Sequence, residues 1–147
     1  MAQTDRKALV ALYNATVGAK WKNARNWNTS AALSRWYGVE VNSQGRVVKL
    51  SLAGNNLQGE IPASLGQLAK LEQLYLYQNK LSGPIPKELR ALTKLTSLIL
   101  SSNNLTGPIP LELGRLAVLE YLDLGGNDLT GSIPPELGKL AALRWLD

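Results

Sequence analysis

The chain has 147 residues, 45% of them apolar and 18% charged, one domain's worth of material with enough apolar surface for a real core. Histidine and cysteine are both absent, which removes the usual metal ligands, a thiol nucleophile and the side chain best suited to proton transfer near neutral pH, so neither an enzyme nor a metal or cofactor site is expected. The net charge of +5 arises before residue 47, where Arg6, Lys7, Lys20, Lys22, Arg25, Arg35 and Arg46 outnumber Asp5 and Glu40, while nine basic residues balance nine acidic ones beyond it. A nucleic-acid binder spreads its positive charge along the working surface, so no nucleic-acid partner is expected.

In chain order, the first stretch is "MAQTDRKALVALYNATV". Its charges and its interrupted, amphipathic apolar positions do not suit a signal peptide. No stretch approaches the ~20 apolar residues that cross a bilayer, so no membrane insertion is expected. The chain as given reads as intracellular or already trimmed. Thr4 is placed as a helix N-cap, with Leu9, Leu12, Tyr13 and Thr16 on one helical face and Gly18 ending the helix. Then comes "WKNARNWNTSAALSRW", holding Trp21, Trp27 and Trp36. Alternating rings and bases superficially suit single-stranded nucleic acid, but buried cap tryptophans with Lys22 and Arg25 on the solvated side are the stronger reading. "WYGVEV" and "RVVKLSL" flank the turn "NSQG" and read as two strands. Residues 1–46 are expected to form an amino-terminal cap.

From residue 47 a 24-residue period takes over: Val47, Leu71, Leu95, Leu119 and Leu143. The four copies run "VVKLSLAGNNLQGEIPASLGQLAK", "LEQLYLYQNKLSGPIPKELRALTK", "LTSLILSSNNLTGPIPLELGRLAV" and "LEYLDLGGNDLTGSIPPELGKLAA", and a fifth begins with "LRWLD". Leu74 and Leu76 alternate with polar or aromatic neighbours, the pattern of a short strand with one buried face. Asn55, Asn79, Asn103 and Asn127 follow the strands; an amide that both donates and accepts can satisfy backbone groups where the chain turns inward. In "GxIP" the isoleucine is buried and the proline ends ladder pairing. Leu65, Leu68 and their counterparts then point inward from a short helical turn.

These copies are identified as leucine-rich repeats, and the "LxGxIP" half resembles the plant-type class, over residues 47–147 without a gap. The resemblance implies an α/β solenoid, right-handed, with a concave parallel sheet, convex 3₁₀ or irregular segments and a helical amino-terminal cap. One repeat cannot bury enough apolar surface alone, so the array must stack and its ends need covers. Caps of secreted plant-type members often read Cys-x-Trp-x-Gly-Val-x-Cys. Here Trp36, Gly38 and Val39 are in place, whereas Ser34 and Val41 stand at the two cysteine positions. Because disulfides are rare in reducing compartments, the missing clamp predicts a cytoplasmic setting; the extracellular alternative draws on the sequons at Asn14, Asn28 and Asn104.

If Leu74 and Leu76 face the core, their neighbours face the concave side and equivalent positions form columns about 4.8 Å apart. One column is Lys49, Gln73, Ser97, Tyr121 and Trp145; the next is Ser51, Tyr75, Ile99, Asp123 and Asp147; a third is Ala53, Tyr77, Ser101 and Gly125. Tyr75, Tyr77, Ile99, Tyr121, Asp123 and Trp145 are therefore the expected partner-binding residues, since Tyr and Trp are the types enriched at binding hot spots. The bland alternative is that tyrosines on a strand only support cross-strand packing. Asp123 and Asp147 are column neighbours able to raise one another's pKa or share a cation; with no base or nucleophile beside them, solvated acids are the expectation. Gly125–Gly126 lies within a repeat strand and is no phosphate loop.

The chain stops inside a strand with Leu143 and Leu146 placed for the core, which predicts a fragment of a longer protein or self-association through the free end. The expected function is non-enzymatic recognition of a protein or peptide ligand. The resemblance implies two kinds of signalling parent, receptor-like kinases and leucine-rich repeat GTPases of the Roco family, and the cysteine-free cap points to the second. A secreted inhibitor of a secreted enzyme is the alternative.

Overall fold

The alternating leucines and their fixed period set the spine of the molecule. In the computed structural model, which describes residues 2–147, the chain forms α1 (Ala2–Ala15), β1 (Val39–Val41), β2 (Val47–Ser51), β3 (Gln58–Glu60), β4 (Gln73–Tyr75), β5 (Lys80–Gly83), β6 (Ser97–Ile99), β7 (Asn104–Pro108), β8 (Tyr121–Asp123), β9 (Asp128–Thr130) and β10 (Trp145–Leu146). A six-stranded sheet runs β1-β2-β4-β6-β8-β10; its first pair is antiparallel and the others are parallel. The register joins Leu50, Leu74, Leu98 and Leu122 side by side, and all four are fully buried. This is the expected solenoid: parallel strands on one side, short 3₁₀ turns at Ala63–Gln67, Lys87–Ala91, Leu111–Arg115 and Pro135–Lys139 on the other. Each turn starts after a proline and sends leucines such as Leu65 and Leu89 into the common core.

The asparagine column does the work its chemistry suggests. Asn79 Nδ2 donates to the carbonyls of Leu52, Leu76 and Tyr77 at 2.9–3.2 Å, and its Oδ1 accepts from the amides of Asn55 and Leu57. Asn103 and Asn127 donate to the equivalent carbonyls one and two coils on, and each accepts one amide from the preceding coil. The first four coils are thus hydrogen-bonded in succession through side chains at the turn, buried at Asn79 and Asn103 and half-buried at Asn127, which satisfy backbone groups there. Asn55 instead binds the cap, exchanging hydrogen bonds with the backbone of Asn23.

A second parallel sheet, β3-β5-β7-β9, was not foreseen. Its three- to five-residue strands centre on the "LxG" segments, whose polar, glycine-bearing composition carries no strand signal of its own. They pair because stacking brings equivalent residues of successive coils to ladder distance.

The cap departs from the sequence reading in two places. The helix contains Thr4 instead of starting at it, because tertiary contacts hold its first turns. The fully buried carboxylate of Asp5 accepts from Arg46 Nε at 2.9 Å, Arg46 Nη2 at 3.0 Å and the Val47 amide at 3.0 Å, while Arg6 donates to the carbonyls of Thr29 and Ala31. The hydrogen bond to Asp5 raises the Arg46 pKa above the ordinary arginine value, with their mutual attraction adding to it against desolvation. The left-handed residue after the helix is Val17, at φ 55°, not Gly18. Gly18 is needed for space, since a Cβ there would run into the Tyr13 ring. Tyr13, Trp21, Trp27 and Trp36 form one chain of ring contacts with centroids 4.8–6.5 Å apart, and the three tryptophans are buried. Arg6 stacks over Trp36 at 5.2 Å. With Trp21 and Trp27 packed inside, "WKNARNW" offers no rings for bases to stack on.

At the far end Leu143 is half-buried. Leu146, expected in the core, is 47% exposed, because each strand leucine is covered by the coil that follows it.

Candidate binding face

Strand alternation decides which side chains reach solvent from the six-stranded sheet. With Leu50, Leu74, Leu98 and Leu122 turned inward, the register aligns Lys49, Gln73, Ser97, Tyr121 and Trp145 in one outward column and Ser51, Tyr75, Ile99 and Asp123 in the next. Asp147 continues the second column: its amide donates to the Leu122 carbonyl at 3.0 Å and its carbonyl accepts from the Leu124 amide at 2.8 Å.

Tyr75, Ile99, Tyr121 and Trp145 come together with Gln73 and Ser97 around one shallow, open depression of about 370 Å³. Tyr121 is 41% and Trp145 58% exposed. Tyr75 and Ile99 are half-buried and form the walls. Gln73 and Ser97 were missed as site residues, although their column was legible; small or polar types give no hot-spot signal, yet a buried Ser97 is what lets the flanking rings stand apart. Tyr77 lies beside the depression with its ring edge-on to Tyr75 at 6.5 Å. Asp123 also lies outside the lining, its Oδ1 accepting from the Gly125 amide at 3.0 Å. The six expected residues therefore share a face, but four line the hollow and two flank it.

Charge is unevenly set on this face. Lys49 is held near the cap, 3.4 Å from Glu40 and 5.6 Å from the Tyr75 ring centre. Arg144, on the edge, pairs with Glu120 at 3.7 Å. Asp123 and Asp147 flank Gly125 so closely that a Cβ added there would lie 3.3 Å from one carboxylate and 3.0 Å from the other. Among the described residues no lysine or arginine comes within ion-pairing distance of either. The surface is shallow, open and backed by an apolar core.

The leucine-rich repeat family signature matches residues 45–105 and again 118–140. The chain is similar to a chain of the BIR3–SERK2 complex from Arabidopsis thaliana, at 34% identity and a TM-score of 0.88, covering 97% of this chain and 79% of that one. It is similar to the BIR2 ectodomain from Arabidopsis thaliana at 35% identity and a TM-score of 0.88, over 96% and 77% of the two chains. A probable leucine-rich repeat receptor-like protein kinase of Arabidopsis thaliana is 38% identical over 73 residues, 48% of this chain and 7% of that protein, so the chain spans a small part of the curated relative it matches.

These relatives correct the cytoplasmic expectation: the likeness is to ectodomains of plant receptor proteins, which point outside the cell. The inference failed because a cysteine-free cap was taken as a sign of a reducing compartment. The cap is held by the Asp5–Arg46 pair and four packed rings, and neither device depends on redox conditions. Asn14, Asn28 and Asn104, the sequon asparagines, are all exposed and all lie off the six-stranded sheet. Sequence signature, coil architecture and two relatives matched over most of their length agree: the chain belongs to the leucine-rich repeat proteins and is a module of the plant receptor-kinase ectodomain type.

Proposed function

We propose that the outward face of the six-stranded sheet binds a protein or peptide partner, and that the chain is the non-enzymatic recognition module of a larger receptor-type protein. The observation that carries this reading is the meeting of Tyr75, Ile99, Tyr121 and Trp145 around one depression. Rings that merely supported cross-strand packing would lie flat against neighbouring side chains and close the gap between them. Here they stand around an open hollow, with Tyr121 and Trp145 each more than two-fifths exposed; that apolar area is available to a partner. BIR3–SERK2, one of the similar structures, is itself a complex of two proteins.

A receptor parent is favoured over a Roco-type GTPase, because the GTPase reading stood on the intracellular setting. Any activity of the parent belongs to residues outside this module.

The test is capture of a partner by the chain and by a Tyr75→Ala plus Tyr121→Ala variant. The variant should lose at least tenfold in affinity, since hot-spot rings are worth about 2 kcal/mol each. Undiminished capture would remove the face from consideration.

A further inference from the structure

We infer that the turn edge where the cap meets the first two coils binds an acidic polysaccharide, with one uronate carboxylate seated between Lys22 and Lys80. The site lies off the six-stranded sheet and is independent of the binding face.

Lys22 of the cap, Gly54 and Asn56 of the first coil, and Gln78, Asn79 and Lys80 of the second line a hollow of about 170 Å³. No carboxylate lines it. The hollows between the 3₁₀ turns are balanced by contrast: Glu88 shares one with Arg90, and Glu136 shares the other with Arg115 and Lys139. Nor does the cap supply the missing charge. Its two acids are engaged elsewhere, Asp5 with Arg46 at 2.9 Å and Glu40 with Lys49 at 3.4 Å. Among the described residues neither Lys22 nor Lys80 has an acid within ion-pairing distance, and both are exposed. Two ammonium groups on one hollow repel each other, and an anion between them relieves that repulsion.

Gln78 is a second, separate sign. The equivalent positions Gly54, Gln78, Ser102 and Gly126 all have left-handed backbone, with φ of 55–63°. Glycine takes that conformation freely, whereas a long side chain takes it at a cost. Here the costly side chain is one that lines the hollow. The Asn79 amide beside it is spent on three carbonyls, but the Gln78 amide is exposed and has no partner among the described residues. Asn56 Nδ2 donates to the Lys20 carbonyl at 2.8 Å, which fixes a third exposed lysine next to the rim. Cations beside free amides suit a ligand that carries carboxylates and hydroxyls together, as every unit of a polyuronate does. Single-stranded nucleic acid needs rings to stack on, and Trp21 and Trp27 are buried. A membrane surface needs apolar side chains to insert, and the lining has none. The ectodomain relatives point to a setting outside the cell, where such polymers are met.

The experiment titrates the full chain into fluorescent polygalacturonate oligomers at two salt concentrations and reads anisotropy. Neutral dextran, single-stranded DNA and phosphatidylglycerol vesicles serve as comparison ligands. The expected result is polygalacturonate binding that salt weakens, with no response to dextran. Lys22→Gln plus Lys80→Gln should lose about tenfold in affinity, and Gln78→Gly about threefold. Arg90→Gln plus Arg115→Gln removes the same charge from the convex side and should change affinity by less than about twofold. All five positions are exposed, so an unfolding midpoint no lower than that of the parent chain verifies that each variant is folded. No binding of polygalacturonate at low salt overturns the site, as does an equal loss for the convex variant, which would reduce the effect to net charge. DNA or vesicles bound as tightly as polygalacturonate overturn the saccharide assignment. Tyr75→Ala plus Tyr121→Ala should bind polygalacturonate undiminished. A loss there places the polymer on the six-stranded sheet and overturns the turn-edge site, while leaving the partner-capture test of that sheet intact.

Discussion

The cap and the repeats solve the same problem, covering apolar surface at the end or along the length of a solenoid, by opposite means. The repeats reuse one solution: leucines at fixed spacing and an asparagine whose amide ties each coil to the last. The cap uses residues that occur once: a buried aspartate clamped to Arg46 and the Val47 amide, and four rings in mutual contact. Periodic contacts spread the load over many equivalent sites, whereas the cap depends on a few that have no substitute.

The sharpest way to break this contrast is at Asp5. Removing a fully buried carboxylate that satisfies three donors leaves Arg46 uncompensated, so Asp5→Ala should cost about 3–5 kcal/mol, read as a lower midpoint in chemical denaturation. Next comes the ladder. Asn79→Ala strips partners from two amides and three carbonyls and should cost about 2–3 kcal/mol. Asn127 serves three carbonyls but only one amide and is less buried, so Asn127→Ala should cost nearer 1 kcal/mol in the same titration. Equal losses at the two positions would show that the ladder, unlike the cap, is insensitive to location. The smallest effect belongs to the binding face. Tyr121→Ala should move stability by no more than about 0.5 kcal/mol, because the ring is 41% exposed, while costing at least fivefold in partner affinity, measured by titration calorimetry. A large stability loss there would make the ring structural and return the face to cross-strand packing.

The residues of the proposed binding face sit on the region that shares its load. Coil-to-coil bonds and buried leucines hold the sheet whatever its outward positions carry, so Tyr75, Ile99, Tyr121 and Asp123 can be exchanged without unfolding it. The cap has no such latitude, since its tryptophans and Asp5 are themselves the structure.

Legibility followed the same division. The repeat register, the inward leucines and the outward columns were readable because a strand has only two faces and the period repeats four times. The asparagine role was readable from amide chemistry. The second sheet was not, because segments such as "QGE" and "LSG" pair only with copies in neighbouring coils and carry no strand propensity of their own. Nor was the Asp5–Arg46 clamp, whose partners are 41 positions apart and follow no pattern. On the face, alternation placed all six expected residues outward, but it could not say which of them converge. Tyr77 and Asp123 stand beside the hollow, while Gln73 and Ser97 help to line it.

By itself the sequence determined the coil, its period and the side of the sheet on which each residue lies, since those follow from local alternation repeated at constant spacing. Only the tertiary structure decided how the cap is locked without a disulfide and which outward residues enclose a common space. Both depend on distances between segments that no local pattern encodes, and both turned on single side chains packed from different parts of the chain.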